Sequence, residues 1–284
     1  MAQRDGDVRF VQLPHPGPEH KVDESGVRPW RTSKDAHGRT FLASKAHYRM
    51  NLNEENQVGD VAFWGEWEGE AKLDLRMRPT SEGPLWLCRP NPYGKPPSQE
   101  RGGPQNTDPF VWGDCFVYSI CRQPGNQKLR SLGRGSVILF GSSVAKKFVI
   151  DTVLVVADWI EYDRTTSRER LGWVTSAEHM RAATEPLCES AGNEAFRCYF
   201  GATPTDPVSG MYSFVPCKPY AGAGSGFARP AVDLPELIKP RLTQQAGSSE
   251  PKPIVELFAL WQKVVDQVLQ QGLALGTRFE LPTA

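Results

Sequence analysis

From Asp108 to Trp159 the chain reads DPFVWGDCFVYSICRQPG, then NQKLRSLGRGSVILFGSS, then VAKKFVIDTVLVVADW. Three apolar runs of strand length, rich in Val, Ile and Phe, are separated by Gly-bearing turns, a pattern of sheet rather than helix. The last run, Phe148 to Ala157, is almost continuously apolar, which suits a strand covered on both faces. The first, Phe110 to Tyr118, alternates and puts Phe110, Trp112, Asp114, Phe116 and Tyr118 on one face. Between Cys115 and Ile150 stand six Lys or Arg and no Asp or Glu. A buried sheet with a basic turn beside it is therefore the frame on which the rest of the chain is placed.

Upstream, Val58 to Glu68 (VGDVAFWGEWE) alternates as a strand, with Trp64, Glu66 and Glu68 on one face and Trp67 on the other. Lys72 to Met77 is expected to pair with it as a hairpin. Downstream, Ser136 to Gly141, Ala195 to Gly201 and Gly210 to Cys217 read as further strands. Thr175 and Glu178 have capping-box spacing for a short helix that Pro186 stops. Ile254, Leu257, Phe258, Trp261, Val264, Val265, Val268 and Leu269 keep helical spacing, so residues 253–272 form a terminal helix with Pro253 in its first turn and Gly272 at its stop. Residues 1–50 are polar. Residues 89–107 carry five prolines and three glycines and read as a long irregular excursion. Residues 218–230 form a Gly-rich connector or lid that lacks the ending of a phosphate loop. The expected fold is α+β: one domain over 1–284, a bent, mostly antiparallel sheet or partial β-barrel over 58–230, and the C-terminal helix packed against it, with long Pro/Gly-rich loops.

The chain of 284 residues is 39% apolar, enough for a real core, and its net charge of zero argues against non-specific coating of nucleic acid. The six cysteines form no CxxC pair and read as buried thiols in a reducing cytosol. His15, His20, His37 and His47 share no metal-ligand spacing, so neither a metal nor a cofactor is expected. With no apolar leader and no run of membrane-spanning length, a soluble cytoplasmic protein is expected. The sequences GxxxxGKS, GxSxG and HExxH are absent, which sets aside the NTPase, serine-hydrolase and zincin classes.

Three features suggest chemistry. Large aromatics (Trp64, Trp112, Tyr118) sit at strand ends, where they can stack on a flat ligand. Glu66 and Asp114 share faces with Trp64 and Trp112, where desolvation beside indole raises a carboxyl pKa. Arg122, Lys128, Arg130 and Arg134 form a basic turn able to grip phosphates.

LRSLGRGSVILFGS followed by KKFVIDTVLVVADW resembles the PUA-like barrels of the EVE and ASCH type over about residues 108–160, although Ser136 stands where those families often have Asp. The resemblance implies a partial barrel that reads modified bases or binds nucleic acid, with Trp112 as a pocket position. The functional expectation is a DNA-binding protein that accepts a modified or flipped-out base. Trp64, Trp112 and Tyr118 would stack the base, Gln105 and Asn106 would read its edge, and the four cations would hold phosphates. If catalytic, it hydrolyses an N-glycosidic bond without metal, with Asp114 and Glu66 as the acids. The alternatives are a non-catalytic base reader, and an interaction protein that docks a partner through its C-terminal helix.

Overall fold

The computed structural model describes residues 6–80, 83–98, 102–188, 192, 194–220, 222, 226–239 and 246–281. Its strands are β1 (Phe10–Pro14), β2 (Val27–Arg28), β3 (Thr40–Arg49), β4 (Gln57–Gly65), β5 (Ala71–Arg76), β6 (Trp86–Pro90), β7 (Val117–Tyr118), β8 (Val137–Val144), β9 (Lys147–Tyr162), β10 (Phe196–Gly201), β11 (Val215–Pro219), β12 (Gly247–Ser248) and β13 (Ala274–Phe279). They make two sheets, one ordered β12-β1-β8-β9-β10-β7 and the other β13-β11-β4-β3-β6-β5-β2. Because β13 also pairs with β3, the strands β3, β4, β11 and β13 close into a small ring. The fold is α+β with a partial barrel. Pairing is antiparallel apart from β1–β8 and β3–β6 among the named strands.

The β8–β9 hairpin is the backbone of the first sheet. Val137 faces Val155 at one end and Val144 faces Lys147 at the other. Ala145 and Lys146 form its two-residue loop, both at positive φ, the turn handedness that matches strand twist. Phe148, Ile150, Val153 and Val155 of β9 share an apolar cluster with α4 (Ile254–Gln270). That helix buries Leu257, Leu260, Trp261, Val264, Val265 and Val268, as its spacing requires, and leaves Val255 in solvent. The Trp261 indole N–H donates to the Tyr212 carbonyl oxygen at 3.0 Å. After Gly272 the chain re-enters the second sheet as β13.

Several local expectations are corrected. Phe110 to Tyr118 is not one strand. Phe110 and Val117 exchange backbone hydrogen bonds across a loop that turns at Gly113 (φ 101°), so that the segment pairs with β10 only from the Phe116 carbonyl through Tyr118. The Asp108 carboxylate holds that loop closed by accepting from the backbone N–H groups of Ser119, Ile120 and Cys121. The β5 strand pairs with β6 and β2, not with β4. The cap of the helical stretch beginning at Ala177 is Ser176, whose Oγ accepts the His179 N–H, rather than Thr175. The stretch then widens into a π turn over Met180–Thr184 and runs past Pro186 to Cys188. The widening precedes the proline whose missing N–H and ring do not fit a tight i→i−4 ladder. Parts of the expected 89–107 excursion and of the 218–230 loop lie outside the described residues. No helix among the described residues is long and apolar enough to cross a membrane.

Candidate metal centre

At the junction of the two sheets, segments far apart in sequence bring polar side chains to one buried point. Pro14 ends β1, and the His15 backbone N–H then donates to Gly141 on β8. Pro18 to His20 runs alongside Gly38 to Thr40, with the Arg39 N–H donating to the Pro18 carbonyl and the His20 N–H to the Arg39 carbonyl, both at 2.8 Å. The approach is so close that a Cβ on Gly38 would lie 2.6 Å from the Pro18 oxygen and 2.9 Å from His20 Nδ1, so only glycine fits. Past the end of β4 the chain stays extended through Glu66 and Glu68. The Glu68 N–H donates to Thr107 Oγ1 and its carbonyl accepts from Arg31. Strand alternation thus turns both glutamates to the same side, against three histidines.

Glu66 Oε2 lies 3.4 Å from His15 Nδ1 and 3.5 Å from Arg39 Nη1. Glu68 receives His20 Nε2 at 3.2 Å on one oxygen and His37 Nδ1 at 3.1 Å on the other, and His37 Nδ1 is 4.0 Å from Glu66 Oε1. One ligand atom each from His37, Glu66 and Glu68 falls within 4.8 Å of the others. Both glutamates, His15 and His20 are buried, while the His37 side chain is 33% exposed and forms the solvent side. Around this group, Arg39 Nε donates to Asp151 at 2.5 Å, and Arg229 lies 3.8 Å from the same carboxylate while donating to Ser142 Oγ and the Gly17 carbonyl. His15 Nε2 touches Cys121 Sγ at 3.0 Å.

The electrostatics divide the group. Burial pushes the Glu66 carboxyl up to about 8, against the pull of Arg39 and His37. Burial also acts on Glu68, but the His37 hydrogen bond and the His20 imidazole 3.2 Å away outweigh it and hold that carboxyl far below the usual range. Burial, with Arg39 nearby, keeps His15 neutral, and burial lowers His20 as well. His37 is raised: burial opposes its charge, but Glu68 and Glu66 favour it. Even so, both oxygens of Glu66, Oε2 of Glu68, Nδ1 of His15 and Nε2 of His20 lack a well-formed hydrogen bond. Buried polar atoms are normally satisfied, so a convergent set left short is a candidate for holding a cation. Imidazole and carboxylate donors of this kind suit Zn, Fe, Co or Mn.

The N-terminal histidines, which share no metal-ligand spacing in the sequence, nevertheless come together in part. Three of the four meet here, and only His47, on β3, stands apart. Of the expected acids, Glu66 is in the group. Asp114 is not: its side chain is 91% exposed and it pairs with Arg278 at 2.7 Å. The expected stacking residues do not share a rim. Trp64 is buried with its N–H on the Phe227 carbonyl, Tyr118 is buried with its hydroxyl on the Cys121 carbonyl, and Trp112 packs edge-on against Trp67. Gln105 is occupied by the Thr32 and Asp35 carbonyls, and Asn106 is buried with Nδ2 unpartnered. Among the expected phosphate contacts, Arg122, Lys128 and Arg134 are exposed. Lys128 lies 3.9 Å from Glu250, Arg130 pairs with Glu194 at 2.7 Å, and Arg134 donates to the Ala157 carbonyl. His15, His20, His37, Arg39, Asp151 and Arg229 were not found by spacing, because their contacts join residues up to 212 positions apart. The signal that was present is the pair Glu66-x-Glu68, two acids turned to one side at the end of an apolar strand.

No family model matches the chain, nor does any curated protein or solved structure.

Proposed function

We propose that the chain is a metalloprotein whose His37, Glu66 and Glu68 hold a divalent transition-metal ion, with His15 and His20 as the remaining donors within reach. The observation that carries this reading is that ligand atoms of His37, Glu66 and Glu68 lie within 4.8 Å of one another, with the glutamate oxygens buried and short of hydrogen-bond partners. When bound, such an ion supplies Lewis acidity to a water or substrate oxygen. The chain's own residues do the rest. Glu68 supplies a standing negative charge and Glu66 a carboxyl whose proton a bound cation would displace, while the buried His15 and His20 stay neutral, the form in which imidazole binds a metal. Arg39 and Asp151 fix Glu66 from behind, and Arg229 ties down the loop at Gly17. The partly exposed His37 gives the group a side open to solvent, which suits a reactive centre rather than a sealed structural one.

The test is titration of the metal-free protein with Co(II), followed by visible absorption. The expected result is a saturable band at about one equivalent, lost in Glu68→Gln and His37→Ala proteins that keep their far-UV circular dichroism. Absence of saturable Co(II), Mn(II) and Zn(II) binding, or identical binding by both variants, overturns the reading.

A second reading rests on the carboxyl oxygens of Glu66 and Glu68 lying within 4.8 Å of each other. Paired carboxyls at short separation are the apparatus of glycosidic hydrolysis, and Glu66 is one of the two acids expected to release a base from DNA. The two readings part under chelation: base release from modified DNA that survives EDTA belongs to the carboxyl pair alone, while release that stops with EDTA and returns with metal belongs to the metal centre.

A further inference from the structure

A cleft of about 500 Å³ opens on the other side of the loop that carries Trp112. Its walls include Phe110, Trp112 and Val174, with Trp173 at 78% exposure and the Asp114–Arg278 pair also lining it. Two of the lining side chains are buried and unpartnered. The Trp112 indole N–H has no acceptor, and neither ring nitrogen of His179 has a partner. His179 stands edge-on to Phe110 at 5.5 Å and Phe110 edge-on to Trp112 at 5.2 Å, so the three rings form one aromatic wall. Unsatisfied buried groups of this kind are uncommon, and here both belong to residues that line one cleft, just beneath its surface of contact with solvent.

The occupant can be argued from the donor set. Burial alone holds His179 well below its ordinary value, at about 3, so the imidazole is neutral and offers one donor and one acceptor. Trp112 adds a second donor. Asp114 pairs with Arg278, and Glu280, which also lines the cleft, pairs with Lys45 at 3.1 Å, so each charge on the lining has a partner. Aromatic faces call for a flat π system, and the mixed donor–acceptor wall calls for an edge of mixed polarity. We propose that this cleft binds a nucleobase or nucleoside, with Trp173 as the stacking ring and Trp112 and His179 as the edge readers. The proposal stands independently of the metal centre. It gives Trp112 the base-binding position expected of it, in a different setting from the expected one.

The test is equilibrium titration with adenosine, guanosine, cytidine and thymidine, read by quenching of tryptophan fluorescence and, in parallel, by equilibrium dialysis. At least one nucleoside is expected to bind saturably. Trp173→Ala, at an exposed position that does not endanger the fold, is expected to weaken it about 5- to 100-fold, the usual value of a stacked base. Trp112→Phe removes the N–H but keeps the ring, and is expected to change the order of preference among the four. EDTA and the Glu68→Gln variant are expected to leave binding unchanged, which separates failure here from failure of the metal reading. No saturable binding of any nucleoside in dialysis, or full binding by Trp173→Ala, overturns the proposal.

Discussion

Trp64-Gly65-Glu66 and Trp112-Gly113-Asp114 carry the same local pattern, an indole, a glycine and an acid, yet the molecule places them in opposite environments. Gly65 is the last residue of β4 and pairs with Thr40 in the second sheet, so the chain stays extended and delivers Glu66 inward at 1% side-chain exposure. Gly113 takes φ 101°, the chain turns back, and Asp114 swings out to 91% exposure against Arg278. One acid becomes part of a buried polar group that needs His15, Arg39 and Asp151 around it, and the other is a screened surface partner. The difference shows that local pattern proposes a carboxylate, while backbone conformation and the arrival of distant segments decide what it can do.

Breaking the buried half should have the largest effect. Arg39→Met leaves the Asp151 carboxylate buried without its closest cation, and the expected cost is about 3–5 kcal/mol in urea denaturation. A change under about 1 kcal/mol would mean that the Asp151 carboxylate is better hydrated than its burial implies.

The cleft half is sharpened by pH. His179 titrates at about 3 in the folded protein against 6.5 when unfolded, so between these values the unfolded chain binds the extra proton. Stability from this residue is full above pH 6.5 and falls as pH drops toward 3. Asp114, Arg278 and Glu280 line the same cleft, and the same comparison in His179→Gln isolates the histidine. The variant should show a flatter stability profile across that window in thermal melts, and an unchanged slope would assign the acid sensitivity elsewhere.

Gly113→Ala forces an L residue into a left-handed conformation, with an expected loss of about 1–3 kcal/mol although no atom stands within 4 Å of the new methyl. Chemical denaturation separates this backbone cost from packing. The smallest effect is expected from Asp114→Asn, which should leave the melting midpoint unchanged because its pair with Arg278 is exposed. A marked drop would show that the two halves are less different than their burial indicates.

The parts of the fold legible in the sequence are those set by local periodicity. The β8–β9 hairpin, the β10 strand and α4 lie where alternation or helical spacing puts them, because each buries a face determined within its own segment. Phe110 to Tyr118 alternates equally well and is not a strand, since Asp108 binds three backbone N–H groups and folds the loop on itself. β13 was missed because its neighbours β3 and β11 come from elsewhere in the chain. For the candidate site, Glu66 was legible as an acid facing inward. Its partners His15, His20, His37 and Asp151 were not, because sheet pairing and the tight crossing at Gly38 bring them together, and residue spacing holds no trace of either.

The most direct test of the metal centre is anomalous diffraction from crystals grown with Mn(II) or Zn(II). The account predicts a single strong peak at about 2.0–2.2 Å from a carboxyl oxygen of Glu66 or Glu68 and about 2.0–2.1 Å from His37 Nδ1. A map with no peak there, while the same crystals carry metal at surface sites, would contradict it.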